Sequence, residues 1–192
     1  MLRRLFANHL FWLSIALSVG LTTQGIAAPA PVLMPHLQKI RTSLPFGWAI
    51  RLPSQILLGG PADPEFINQL TVKVFPSNTP AGLTVGLFTC EQSPLPCLVG
   101  SFSVDSATSE NAQRELKRHI AAAAPIKLGK GGRGYLLHGP VRKPASDFSS
   151  VMWEQDGMIY TITFLAAERQ NLLYMAYSMA NNPAYFSLQR PE

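Results

Sequence analysis

Cys90 and Cys97 are the two cysteines of the chain, and their type and spacing speak most directly of chemistry. A strand-like run, Leu83 to Thr89, precedes the first, and another, Leu98 to Val104, follows the second. Between them lies Glu91-Gln92-Ser93-Pro94-Leu95-Pro96, whose prolines cannot donate to a strand ladder. The spacing predicts an antiparallel hairpin pinched at the base of its loop, where opposed residues come close enough for a disulfide. An oxidising compartment would favour that bond. Closing so small a ring stabilises by roughly 2–3 kcal/mol in the chain-entropy model. A redox or metal pair is the rival reading. The spacing is not C-x-x-C, and no partnering histidine or further cysteine stands nearby.

A run of cations comes next: Arg114, Lys117, Arg118, Lys127, Lys130, Arg133, Arg142 and Lys143, opposed by Glu115 alone. If a helix and a turn share one face, the first six form an anion-binding patch for lipid, wall polymer or an acidic partner protein. The plain alternative is a solvated helix face and loop. The loop Gly129–Gly134 is glycine-rich but leads into a strand and lacks the Walker pattern, so it reads as a hairpin turn. Trp48, Trp153, Tyr160, Tyr174 and Tyr177 either line a ligand groove or pack in the core. Met152, Met158, Met175 and Met179 sit in apolar patterns and read as core filling. His36, His119 and His138 read as surface or satisfied histidines. Asp147, Ser149 and Ser150 stand together without a local base. No G-x-S-x-G or H-E-x-x-H pattern appears, and no cofactor, metal or catalytic residue is expected.

The elements that must position these residues follow from periodicity. His36–Leu44 suits a short helix ended by Pro45, and residues 47–52 a first strand. Leu70–Phe75 alternates strictly and is expected to stop at Pro76. Thr108-Ser109 offers an N-cap to a helix over Glu110–Ala124, with Ala112, Leu116, Ile120 and Ala123 on its apolar face. Ile126–Leu128 and Tyr135–Leu137 flank the glycine loop. Ser150–Glu154 and Met158–Phe164 flank Gln155-Asp156-Gly157, and Asp-Gly between alternating runs is the strongest short-range hairpin signal. A last helix runs from about Ala167 to Ala180, with Leu172, Met175, Ala176 and Met179 inward and Leu173, Tyr177 and Ala180 widening that face. The expected class is α+β, an antiparallel sheet built from hairpins with two main helices on one face.

The first residues carry an address. Arg3 and Arg4 precede an apolar run from Phe11 to Leu21, and Gly25-Ile26-Ala27 suits signal cleavage. Residues 1–27 are therefore expected to be a signal peptide, 28–35 a proline-rich, extended spacer, and 36–192 a single domain. Cleavage would lower the formal net charge from +5 to +3, too small an excess to argue for nucleic acid. No later segment is long and apolar enough to span a membrane. An extracytoplasmic place, periplasmic or secreted, is the expectation.

Ile126, Leu128, Gly129, Gly134, Trp153, Gly157, Tyr160, Leu172, Leu173, Ala176 and Ser178 form a pattern across the C-terminal third. With it the chain resembles a domain-of-unknown-function family of bacterial extracytoplasmic and sporulation-associated proteins. The general style is also similar to that of uncharacterised secreted cyanobacterial proteins. The resemblance implies a fold and no reaction. The functional expectation is a non-catalytic extracytoplasmic binding domain, using the open sheet face or the basic patch. The rivals are a secreted hydrolase, which needs a deep pocket with buried polar groups, and a structural envelope protein.

Overall fold

The computed structural model describes residues 28–59, 64–92, 97–122, 125–129 and 132–188. The expected signal peptide, 1–27, lies outside the described residues. Helices are α1 (Leu37–Ser43), α2 (Pro64–Asn68), α3 (Glu110–Ala122) and α4 (Arg169–Asn181). Strands are β1 (Ala49–Ile50), β2 (Thr71–Asn78), β3 (Ala81–Phe88), β4 (Leu98–Ser106), β5 (Pro125–Lys127), β6 (Arg133–Leu137), β7 (Phe148–Gln155), β8 (Met158–Leu165) and β9 (Tyr185–Phe186). A seven-stranded antiparallel sheet has the order β2-β3-β4-β8-β7-β6-β5, and β1 pairs β9 separately. The class is α+β, as the hairpin pattern implies.

One face of the large sheet holds the main core. Val85, Phe102, Val104, Val151, Trp153, Tyr160, Ile162 and Phe164 pack there against Leu172, Met175, Ala176 and Met179 of α4. Trp153 and Tyr160 face each other across β7 and β8 and stack at 5.5 Å. Their polar ends are satisfied: Tyr160 Oη donates to the Ala49 carbonyl at 3.1 Å, and Trp153 Nε1 donates to Gln155 Oε1 at 3.1 Å. Gly100 lets the Phe164 ring lie on the neighbouring strand, since a Cβ there would stand 2.6 Å from that ring. The β7–β8 turn has Asp156 at φ 53° and Gly157 at φ 74°, the geometry a primed two-residue turn needs.

Four expectations are corrected. The two main helices do not share a face. Ala112 and Leu116 of α3 pack with Met152 and Ile159, which alternate with the main-core residues and so point the other way. Residues 31–36 are not an extended spacer; they form a 3-10 helix started by Pro31, with Val32 and Leu33 buried in the main core. β2 does not stop at Pro76 but continues to Asn78. It is the sheet edge, so the missing proline donor faces away from β3. The first strand shrinks to Ala49–Ile50. α1 ends as expected: Leu44 is extended at ψ 139°, because Pro45 disfavours the helical region before it.

Candidate functional site

Strand register builds the candidate site on the second sheet face. Thr84, Ser103, Thr161 and Met152 form one cross-strand row. Gly86, Ser101, Thr163 and Ser150 form the next, and Gly82, Asp105 and Ile159 a third. These positions alternate with the apolar residues of the main core, so small and hydroxyl side chains share this side. α3 lies chiefly against β6, β7 and β8 here. Its inner wall and the sheet floor enclose an open groove of about 560 Å³. Thr161, Thr163, Ser150 and Met152 make the floor, Asn111, Glu115 and His119 the helix wall. Asp105 stands toward one end and Arg142 with Leu98 toward the other. At about 3.3 Å per strand residue, the span from Leu98 to Asp105 is roughly 20 Å.

The helix wall is set by sequence-local signals. Ser109 caps α3 by accepting the Ala112 N–H at 3.4 Å. The buried side then runs Ala112, Leu116, His119, at spacings of four and three residues. Ile120, expected on that side, is 46% exposed, and His119 takes the inward place at 1%. His119 Nδ1 lies 2.9 Å from the Glu115 carbonyl, which can only accept, so Nδ1 carries the proton. Nε2 then accepts from Ser150 Oγ at 2.8 Å. Burial pushes the imidazole below its ordinary pKa, and Arg118 and Arg142 add to that. The Glu115 carbonyl and its carboxylate, 3.8 Å from Nδ1, pull the other way. Burial lifts the Asp105 carboxyl above its usual range. The Arg142 Nε is buried with no hydrogen-bond partner among the described residues.

A hydroxyl beside a neutral histidine has the parts of an activated nucleophile. The main chain argues for another role. β7 is laddered on both sides at Ser150, to Leu137 and to Thr163, so its amide is engaged in the sheet and cannot face an oxyanion. The pair ties α3 to the sheet. A parallel tie lies one residue earlier, where His138 Nδ1 is 2.9 Å from Ser149 Oγ, which also accepts the Gly139 N–H at 3.1 Å. Ser149 and Ser150 stand out in the sequence, but no base lies near them in the chain. The signal available was the Glu115–His119 spacing, which places an acid and an imidazole on one helix side.

The structure joins Cys90 to Cys97, with Cα atoms 5.8 Å apart. The basic residues fall into groups. Arg114, Lys117 and Arg118 line the outer side of α3. Arg118 pairs with Glu115 at 2.6 Å, and Arg114 donates to Asn111. Glu115 and Asn111 line the groove, so these two contacts join the outer side of α3 to the groove wall. Lys127 and Arg133 face each other across β5 and β6, and Lys130 lies outside the described residues. The aromatic set does not converge: Trp153 and Tyr160 are core, while Tyr174 and Tyr177 are exposed on α4. Tyr177 therefore does not widen the apolar side of α4. Met152, Met175 and Met179 are buried, as expected of core filling. Among the described residues no three His, Cys, Asp or Glu side chains gather as metal ligands, and no helix is long and apolar enough to cross a membrane. No protein-family model, curated protein or solved structure matches the chain.

Proposed function

We propose that the chain is an extracytoplasmic binding domain that holds an anionic, hydroxyl-bearing polymer of the cell envelope in the groove beside α3. The single observation that carries this reading is the composition of the second sheet face. It presents Thr84, Ser101, Ser103, Thr161 and Thr163 in adjacent rows next to an open groove. A face left for solvent alone has no need of a helix wall with Arg114 and Arg118 beside it and Arg142 at the end of the groove. Hydroxyl rows suit the donors and acceptors of sugar units. Arg114, Arg118 and Arg142 suit carboxylate or phosphate groups along them. The disulfide is consistent with an oxidising compartment. Arg3, Arg4 and the apolar run after them support export.

The test is affinity electrophoresis of the purified chain through gels holding polygalacturonate, an anionic polysaccharide, or dextran, a neutral one. Polygalacturonate should retard the protein, dextran much less, and added salt should weaken the effect. Thr161→Trp fills the groove floor and should abolish retardation without lowering the melting temperature by more than a few degrees. Equal retardation of Thr161→Trp and the native chain would sink the reading.

A further inference from the structure

A second hollow, of about 470 Å³, lies where β5 begins and β6 ends, beside the end of α3 and the start of α4. Its volume falls within the range of small-molecule sites. Ile126, Leu136 and Val141 contribute apolar wall, and His138, Arg142 and Arg169 contribute polar groups. The two arginines come from separate parts of the fold. Arg142 follows the 3-10 turn Gly139–Val141, and Arg169 opens α4.

Neither guanidinium meets a carboxylate among the described residues, where the arginine ion pairs are Arg51–Asp156 and Arg118–Glu115. Glu168, the acid next in sequence to Arg169, is turned elsewhere: it accepts from the Gly59 N–H at 2.7 Å and from Asn171 Nδ2 at 2.7 Å. Arg169 also gains nothing from its helix. A cation in the first turn faces the positive end of the helix dipole, and α4 has no acid in that turn. The buried Nε of Arg142 lacks a partner as well. Two guanidiniums with no acid partner among the described residues thus line one hollow together with apolar walls.

We propose that this hollow binds a small organic anion. A carboxylate or phosphate head sits between Arg142 and Arg169, each able to bind it through two N–H groups. A compact apolar body lies against Ile126, Leu136 and Val141. The proposal goes beyond the polymer groove. The two sites share Arg142, whereas Arg169 lines the hollow and not the groove.

Calorimetry on the purified chain tests it with four probes: phenylbutyrate, phenyl phosphate, phenylbutanol and inorganic phosphate. At least one of the two organic anions should bind saturably. The alcohol should bind about tenfold more weakly or worse, because it offers no charge to the guanidiniums. Arg169→Gln should weaken the organic anion by about tenfold or more, and Arg169→Lys should recover part of that loss. Arg169 is exposed, so Arg169→Gln is expected to melt like the native chain. The same variant should still be retarded by polygalacturonate, which separates this site from the groove. The proposal is overturned if neither organic anion saturates, if alcohol and acid bind alike, if inorganic phosphate binds as tightly as the organic anions, or if Arg169→Gln changes nothing.

Discussion

His119 shows how one side chain can decide whether a helix stays docked. It is buried, neutral, and hydrogen-bonded at both nitrogens, to its own helix and to β7. His119→Ala removes both bonds, strands the Ser150 hydroxyl and leaves a cavity, so we expect a loss of about 2–4 kcal/mol in urea unfolding at neutral pH. The pH dependence has a definite sign. The folded-state pKa is lowered, so the unfolded chain takes up the proton first as pH falls. This contribution is therefore full above about pH 6.5 and lost as pH drops below that value toward the folded-state pKa. His119→Asn should flatten that slope. Asp105 runs opposite: its folded pKa is raised, so the unfolded chain ionises first. Its effect is absent below the ordinary carboxylate range and unfavourable once pH has risen through the raised value. Asp105→Asn should then stabilise at neutral pH and not in strong acid. Unfolding curves at both extremes that move together would contradict this. Sequence holds the Glu115–His119 spacing but not the partner across the fold, since Ser150 lies thirty-one residues further along and is brought to His119 only by packing.

Elements were more legible, because turns and periods are local. Asp156-Gly157 and the Cys90–Cys97 bond stand where their residues place them, since φ > 0 at a turn and the spacing of two cysteines are local properties of the chain. Cys90→Ser with Cys97→Ser should lower stability by roughly 2–3 kcal/mol, read as a shift in denaturant midpoint that a reductant reproduces in the native chain. What sequence could not show is how an element end is held by distant chain. The carbonyls at the end of α4 accept from Arg51: Nη1 donates to Asn182 O and lies 3.5 Å from Ala180 O. Nη2 of the same guanidinium donates to Asp156 at 2.7 Å, and the group lies 6.0 Å from the Tyr160 ring centre. One arginine thus fastens the end of α4 to the tip of the β7–β8 hairpin. Arg51→Met should cost about 1.5–3 kcal/mol, because charge-assisted bonds to carbonyls are lost in a half-buried place. Asp156→Asn should cost under about 1 kcal/mol, its carboxylate being 66% exposed. Equal losses for the two would show that the ion pair, and not the grip on α4, dominates.

At the scale of the molecule, the two helices sit on opposite faces of one sheet with unequal support. α4 shares the main core with the sheet and the N-terminal segment. α3 rests on a small cluster of Ala112, Leu116, Met152 and Ile159, with Ala107 and Tyr135 beside it, plus the His119–Ser150 tie. Periodicity tells which side of a helix is apolar, not which side of a sheet receives it, so it does not by itself separate the two helices. The strand rows held that information. Met152 and Ile159 are apolar positions out of phase with Val151, Trp153, Tyr160 and Ile162, and an apolar residue on the second face needs its own cover. The imbalance implies a hierarchy of opening. Less buried apolar surface means a lower free energy of local unfolding, so amides in the last two turns of α3 should exchange through a smaller opening than those of α4. Hydrogen exchange measured against denaturant should separate the two helices, and His119→Ala should widen the gap by lowering α3 alone. Because α3 is one wall of the proposed polymer groove, polygalacturonate should raise protection in α3 and leave α4 unchanged. Equal protection of both helices without polymer would mean that the His119–Ser150 tie makes up for the smaller core beneath α3, and the groove wall would then be as rigid as the rest of the fold.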